Sequence, residues 1–207
     1  NKDLDILNFS SEQITLAIEK FNSIEKIEKQ SKYDELTGLP NKALFFDVAL
    51  NMIQKSKLDK DCILFVLLDL DDFMLIIDTH GYDIGNKIIE ILSKRLFSII
   101  NDDEIVSYWG GDKFNLILKS ISSVQDEKKR VNKIANSIKK PITIDDNIFT
   151  INSSIGVSIF PYHNENLNHL IRNSEIAMNH VKNNGKDNVK FYEHTLKEKL
   201  MDQFGIE

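Results

Sequence analysis

The chain has 207 residues, with 26 lysines and arginines against 32 aspartates and glutamates, a formal net charge of −6 and 42% hydrophobic residues. That is enough apolar material for one ordinary globular domain with some appended helix, and the acidic balance excludes a surface built to coat a nucleic-acid polymer, though not a local basic pocket. The single cysteine, Cys62, allows no intrachain disulfide, which fits a reducing compartment, and the longest apolar run, Cys62 to Leu68, is far short of the ~18 residues that span a bilayer.

No signal-peptide pattern opens the chain, which starts in mid-helix character like a piece of something longer. Ser10-Ser11-Glu12-Gln13 reads as a capping box, and Ile14, Ile18, Phe21, Ile24 and Ile27 recur every three or four residues up to Gln30. This stripe predicts a helix. It lies either on its own domain or in a dimerising, signal-transmitting coiled segment. A connector follows from Tyr33, punctuated by Gly38 and Pro40, and Asn41 is placed to cap a helix over 42–57.

After a polar turn at 58–61, Ile63 to Leu68 is an uninterrupted apolar strand, expected at the centre of a sheet covered on both faces. It runs into Asp69-Leu70-Asp71-Asp72-Phe73. Alternation places Asp69 and Asp71 on one face, and like charges that close repel unless a cation or donors compensate. The acids read either as solvated turn residues or as ligands of a hard divalent cation. Helices are expected over 74–79 and from Asp83 to about Ile100.

Two alternating apolar runs, 105–109 and 114–118, flank Gly110-Gly111-Asp112-Lys113 and predict a hairpin. Its two glycines allow positive φ and close approach of another molecule. By itself the hexapeptide from Trp109 to Phe114 reads as a tight turn with solvated charges. Next to the Asp69 cluster it favours the cation reading. Further on, the pattern predicts a helix over 123–140, strands at 142–144 and 148–159 around a turn at Asp145-Asp146-Asn147, a helix over 167–182 closed by Asn183-Asn184-Gly185, a strand at 189–192, and helix from Glu193. Interleaved helices and strands with hairpins predict a mixed sheet flanked by helices.

These residues carry a family likeness. Over roughly 31–193 the chain resembles the GGDEF, or diguanylate cyclase, domain. The matching elements are Asp34 to Asn41, Leu68 to Phe73, Asp78-Thr79-His80-Gly81, Gly110 to Phe114, Ser154 to Ser158, and Ala177-Met178 with Lys182-Asn183-Asn184-Gly185-Lys186. The resemblance implies a palm-like, mainly antiparallel mixed sheet with helices on both faces. Active members condense two GTP into cyclic di-GMP with divalent cations. By motif position, Asp69, the carbonyl of Leu70 and Asp112 would be metal ligands. Gly110, Gly111, Lys182, Lys186 and Asn86 would face the nucleotide, Lys186 standing where the family has Arg and Asn86 where it has Asp.

The departures from the pattern are specific. The signature catalytic glutamate is Lys113, which puts positive charge beside a cation site. At ~5 Å and an effective dielectric near 20, each unit-charge pair is worth about 3 kcal/mol. The guanine-reading Asn is replaced by Ile77, the phosphate-side Lys by Met74, and the Arg before the glycines by Tyr108. The inhibitory Arg-x-x-Asp is Asn101-Asp102-Asp103-Glu104, whose three acids are expected to repel a phosphodiester. Lys113 reads either as a solvated turn residue or as an internal cation pairing with Asp69 or Asp112.

The resulting expectation is a degenerate domain: a silent regulatory or interaction module of cyclic di-GMP signalling. An active cyclase with an unusual site and a GTP-binding switch remain alternatives. Mg²⁺ is expected only with bound nucleotide, weakly or not at all. The organisation expected is a signalling helix over 1–30, the domain over 31–193 and a linker helix over 194–207. The partners implied are GTP, a sensor domain upstream, an EAL-type domain downstream and a second copy in a homodimer. No nucleic-acid polymer or membrane contact is expected of this segment. The location implied is cytoplasmic, with membrane anchoring of a longer protein left open.

Overall fold

The computed structural model describes residues 31–120 and 124–194, with the isolated positions 14 and 20. Apart from those two positions, the expected helix over 10–30 lies outside the described residues, as does the chain beyond 194. The connector is a built turn. Asp34 Oδ1 accepts from Thr37 N at 2.8 Å and from Thr37 Oγ1 at 2.7 Å, and the Pro40 carbonyl accepts from Tyr108 N at 3.1 Å. Asn41 caps helix α1 (Lys42–Asp59), its side chain accepting from Leu44 N at 3.1 Å.

Strand β1 (Ile63–Leu70) is buried at all eight positions. It outlasts its apolar run by two residues because Asp69 still pairs with Lys113 on one side and Ser154 on the other. Helices α2 (Phe73–His80) and α3 (Tyr82–Phe97) follow, separated by Gly81 at φ 85°. Strands β2 (Ile105–Tyr108) and β3 (Lys113–Lys119) form the expected hairpin, and α4 spans Val124–Ile138.

The single strand expected over 148–159 is two strands. β5 (Asn147–Phe149) pairs with β4 (Ile142–Ile144) in a separate ribbon, and β6 (Ser153–Phe160) enters the main sheet. The break at 150–152 is where the Asn152 carbonyl accepts from Asp71 N at 2.9 Å, a contact no local periodicity encodes. Helix α5 (Leu167–Asn183) and strand β7 (Val189–Phe191) complete the described chain.

The main sheet has the order β2-β3-β1-β6-β7. β1 lies at its centre, antiparallel to β3 and β6, and only β6 and β7 run parallel. One face packs Leu64, Val66, Leu68 and Leu116 against Ile88 and Leu92 of α3 and Val131 and Ile134 of α4. The other packs Ile63, Phe65 and Ile117 against Phe45 and Ala49 of α1 and Leu170 of α5. Helix α5 crosses β6 at Gly156, where an added Cβ would come within 1.9 Å of the Ser174 carbonyl oxygen. Ser174 Oγ then donates to the Phe65 carbonyl at 2.9 Å and meets Ser158 Oγ at 2.9 Å, fixing α5 to the sheet. No helix among the described residues is long and apolar enough to cross a membrane.

Candidate functional site

The end of β1, the β2–β3 hairpin and the last turn of α5 meet at Asp69. Its carboxylate is fully buried, and Lys182 Nζ of α5 stands 2.7 Å from Oδ1. The contact is an ion pair by distance rather than a well-angled hydrogen bond, and neither carboxylate oxygen has a hydrogen-bond partner. Burial pushes the Asp69 carboxyl above the ordinary aspartate range. Lys182 opposes that rise, the nearby Asp112 adds to it, and Lys113 also opposes it. A carboxylate taken from water without full compensation requires a cation, as charge balance in the sequence suggested.

Among the described residues that cation is Lys182 and not Lys113. Lys113 faces Asp69 in the β1–β3 register, yet its side chain is exposed and makes no ion pair among the described residues. Its place at the first position of β3 explains this, since the hairpin tip lies in solvent. The tip itself is closed by Lys113 N donating to the Gly110 carbonyl at 3.2 Å, with Gly110 at φ 92° and Gly111 at φ 62°. Nothing lies within 4 Å of where a Cβ would sit on either glycine, so the backbone conformation requires them, and the tip is open. The Asp112 carbonyl accepts from Leu70 N at 2.9 Å, which fixes the hairpin to the end of β1.

Tyr108 replaces a family arginine and turns inward. Its hydroxyl donates to the Gly111 carbonyl at 2.9 Å, and burial, with Asp34 and Asp112 close by, pushes it up to about 12.

Asp71 does not share the Asp69 site. β1 ends at Leu70, so strand alternation stops before Asp71. Its Oδ1 accepts from Ser154 Oγ at 2.6 Å and its Oδ2 from Asp187 N at 3.0 Å, which makes it a tie between β6 and the loop after α5. Asp72, at φ 57°, pairs instead with Lys186 Nζ at 2.6 Å. Both lysines expected to face phosphates are therefore engaged by carboxylates, Lys182 by Asp69 and Lys186 by Asp72.

Of the two positions that the resemblance gives to the nucleobase, one is apolar and one is polar. Ile77 is half-buried against the core, and its Cγ1 would lie 2.9 Å from a Cβ added at Gly85 of α3. Asn86 and Met74 are exposed. At the upstream position, the expected repulsion of a phosphodiester by the three acids needs correction. Glu104 is turned inward, accepting from Asn101 N and Lys119 N at 2.9 Å each and pairing with Arg130, while Asp103 pairs with Lys119. Two of the three charges are thus compensated. The Glu104–Arg130 pair spans 26 positions, and nothing local in the sequence signals it.

No three His, Cys, Asp or Glu side chains among the described residues converge as a metal cage.

A model of the family described as "Diguanylate cyclase, GGDEF domain" matches residues 31–188. The cyclic di-GMP phosphodiesterase NbdA of Pseudomonas aeruginosa is 28% identical over 170 residues, covering 82% of this chain and 22% of that protein. The biofilm architecture maintenance protein MbaA of Vibrio cholerae is 28% identical over 218 residues, covering 100% of this chain and 27% of that protein. This chain thus spans about a quarter of the length of these relatives. Among solved structures, the GGDEF domain of TpbB (YfiN) from Pseudomonas aeruginosa matches with a TM-score of 0.78 at 23% identity, covering 82% of this chain and 99% of that one. The coiled coil and GGDEF domain of DgcB from Caulobacter crescentus matches at 0.77 and 18% identity, over 89% and 98% of the two chains. The fold of the sheet, the hairpin joined to the end of β1 and the family match over most of the chain together establish that this protein belongs to the GGDEF domain family.

Proposed function

We propose that this chain is a catalytically silent GGDEF domain that serves as a regulatory or interaction module in cyclic di-GMP signalling. The observation that carries the reading is the cation already seated on Asp69: Lys182 Nζ lies 2.7 Å from the buried carboxylate. Mg²⁺ takes carboxylate and phosphate oxygens in a near-octahedral shell. Half of such a donor set is present in Asp69, the Leu70 carbonyl and Asp112. The other half does not fit, because an ammonium stands on Asp69 and Lys113 holds the place of the signature glutamate. The base-reading side supports the same reading, since a half-buried isoleucine makes no polar contact with guanine. The names of the relatives, which include cyclic di-GMP phosphodiesterases and a bifunctional cyclase/phosphodiesterase, support placement in that signalling system as one domain among several.

The test is incubation with GTP and Mg²⁺ or Mn²⁺, followed by chromatography of the nucleotides. No cyclic di-GMP above a mock preparation is expected. Product that scales with protein concentration overturns the reading. Calorimetric titration with GTP and Mg²⁺ on the same sample separates a protein that binds without turnover from one that does not bind.

A further inference from the structure

Three of the five histidines line one cavity of an otherwise acidic chain. The cavity has a volume of about 140 Å³ and lies between the turn after β6, the first turns of α5 and the residues leaving β7. Its walls carry His163, His169, Arg172 and His194, with Asn173 and Tyr192, and no carboxylate is among them. It lies outside the Asp69 site and is lined by none of that site's residues.

The groups in the wall are donors, and several are uncommitted. His163 Nδ1 accepts from Ile159 N at 2.9 Å, so the ring proton resides on Nε2, which is left as a donor. Burial, and then His194, hold the His163 imidazole below the ordinary histidine range, which favours its neutral form. Arg172 makes no ion pair among the described residues, and Glu175, one turn along α5, does not pair with it. The other nearby carboxylates are engaged elsewhere, Glu193 with Lys190 at 3.0 Å and Glu165 with Lys57 at 3.0 Å. The amides that open α5 are already capped by the Asn166 side chain, so the wall's attraction for an anion rests on its side chains.

We propose that this cavity binds a small tetrahedral dianion of the phosphate and sulfate class, held by the Arg172 guanidinium and the His169 and His194 imidazoles. The guanidinium supplies a planar fork that matches such oxygens, and imidazolium adds charge-assisted donors. A metal ion is the poorer occupant, because the three rings do not converge as ligands and a guanidinium stands among them. The volume is far above the ~15 Å³ that admits a single water, so a partly hydrated ion fits.

Sulfate is the discriminating probe, because it stays dianionic from pH 6.0 to 7.5 while histidine titrates across that range. Sulfate is titrated into the 207-residue protein at constant ionic strength, and the imidazole signals of all five histidines are followed by NMR. His80 and His180 are outside the cavity wall and act as internal references. Expected are saturable shifts at His163, His169 and His194, with a dissociation constant at least about fivefold lower at pH 6.0 than at pH 7.5. Arg172→Ala weakens binding by about tenfold or more, and His169→Gln at least halves the pH ratio. Inorganic phosphate shows the same three-histidine pattern, and acetate at equal ionic strength binds several-fold more weakly. Equal movement of all five signals, absence of saturation, or unchanged affinity in Arg172→Ala with an intact fold overturns the proposal.

Discussion

Replacing Lys182 with Met removes the ammonium that faces Asp69 and keeps the aliphatic stem. At 2.7 Å and an effective dielectric near 20, the gross attraction is about 6 kcal/mol. Lys182 is 33% exposed, so solvent screens part of that. A firmer ceiling comes from Asp69. Stripped of its cation, a fully buried carboxylate takes up a proton instead of remaining charged. Keeping an ordinary carboxyl protonated at pH 7 costs at most about 4 kcal/mol, and at pH 5 about 1.5 kcal/mol. The expected loss is therefore about 2–3 kcal/mol at pH 7 and about 1 kcal/mol at pH 5. The sign follows from the raised carboxyl in the folded state. Such a group opposes folding only above the unfolded value, so the penalty is absent in acid and grows as pH rises toward the folded value. Urea unfolding of parent and variant at both pH values reads the difference directly. At pH 7 the melting temperature should fall by roughly 4–12 °C. Equal losses at the two pH values, or no loss at pH 7, would refute the claim that Lys182 neutralises Asp69.

Lys113→Glu should cost about 1 kcal/mol in chelator, from repulsion with Asp69 and Asp112, and regain it in excess Mg²⁺; thermal unfolding under both conditions checks this, and chromatography should still show no cyclic di-GMP. Arg130→Met leaves the buried Glu104 with two backbone donors and no cation, and urea unfolding should show a loss of about 3 kcal/mol. Gly156→Ala forces α5 off β6 against backbone atoms of Ser174 and Met178, so a loss of about 3 kcal/mol or more is expected by the same measurement.

What could be read from the sequence was what neighbours along the chain decide. The apolar run from Ile63, the two strands around Gly110-Gly111 and the Asn41 cap each depend on residues within a few positions, and each formed as expected. The separation of β5 from β6 was illegible because alternation continues through the break while Asp71, some eighty positions earlier, claims the Asn152 carbonyl. The same holds within the site. A cation beside Asp69 follows from charge balance, but the choice of Lys182 over Lys113 depends on how α5 lies across β6. That crossing is set by Gly156 and Ser174, neither of which carries a charge, and the matched element that contains Gly156 says nothing of which lysine it brings to Asp69. The positive φ of Asp72, Lys186 and Asp187 is equally hidden, since non-glycine residues adopt it here under the ties made by Asp71 and the Lys186–Asp72 pair.

The position of Lys182 also determines how many changes separate this site from one that holds a divalent ion. A free cation must be drawn from solution, whereas Lys182 is tethered to α5 and held at a high effective concentration beside Asp69. The tether is stiff, because Ser174 bonds to the β1 backbone and Gly156 allows the helix to lie directly on the strand. Restoring a carboxylate at position 113 adds one ligand but leaves this tethered competitor in place. Mg²⁺ must then displace an ammonium whose loss exposes no new water-accessible charge, since Asp69 is buried. The double variant Lys113→Glu with Lys182→Met should accordingly gain more from Mg²⁺ in thermal unfolding than the two single variants' gains added together. Additive gains would mean that Lys182 and the ion do not compete for Asp69.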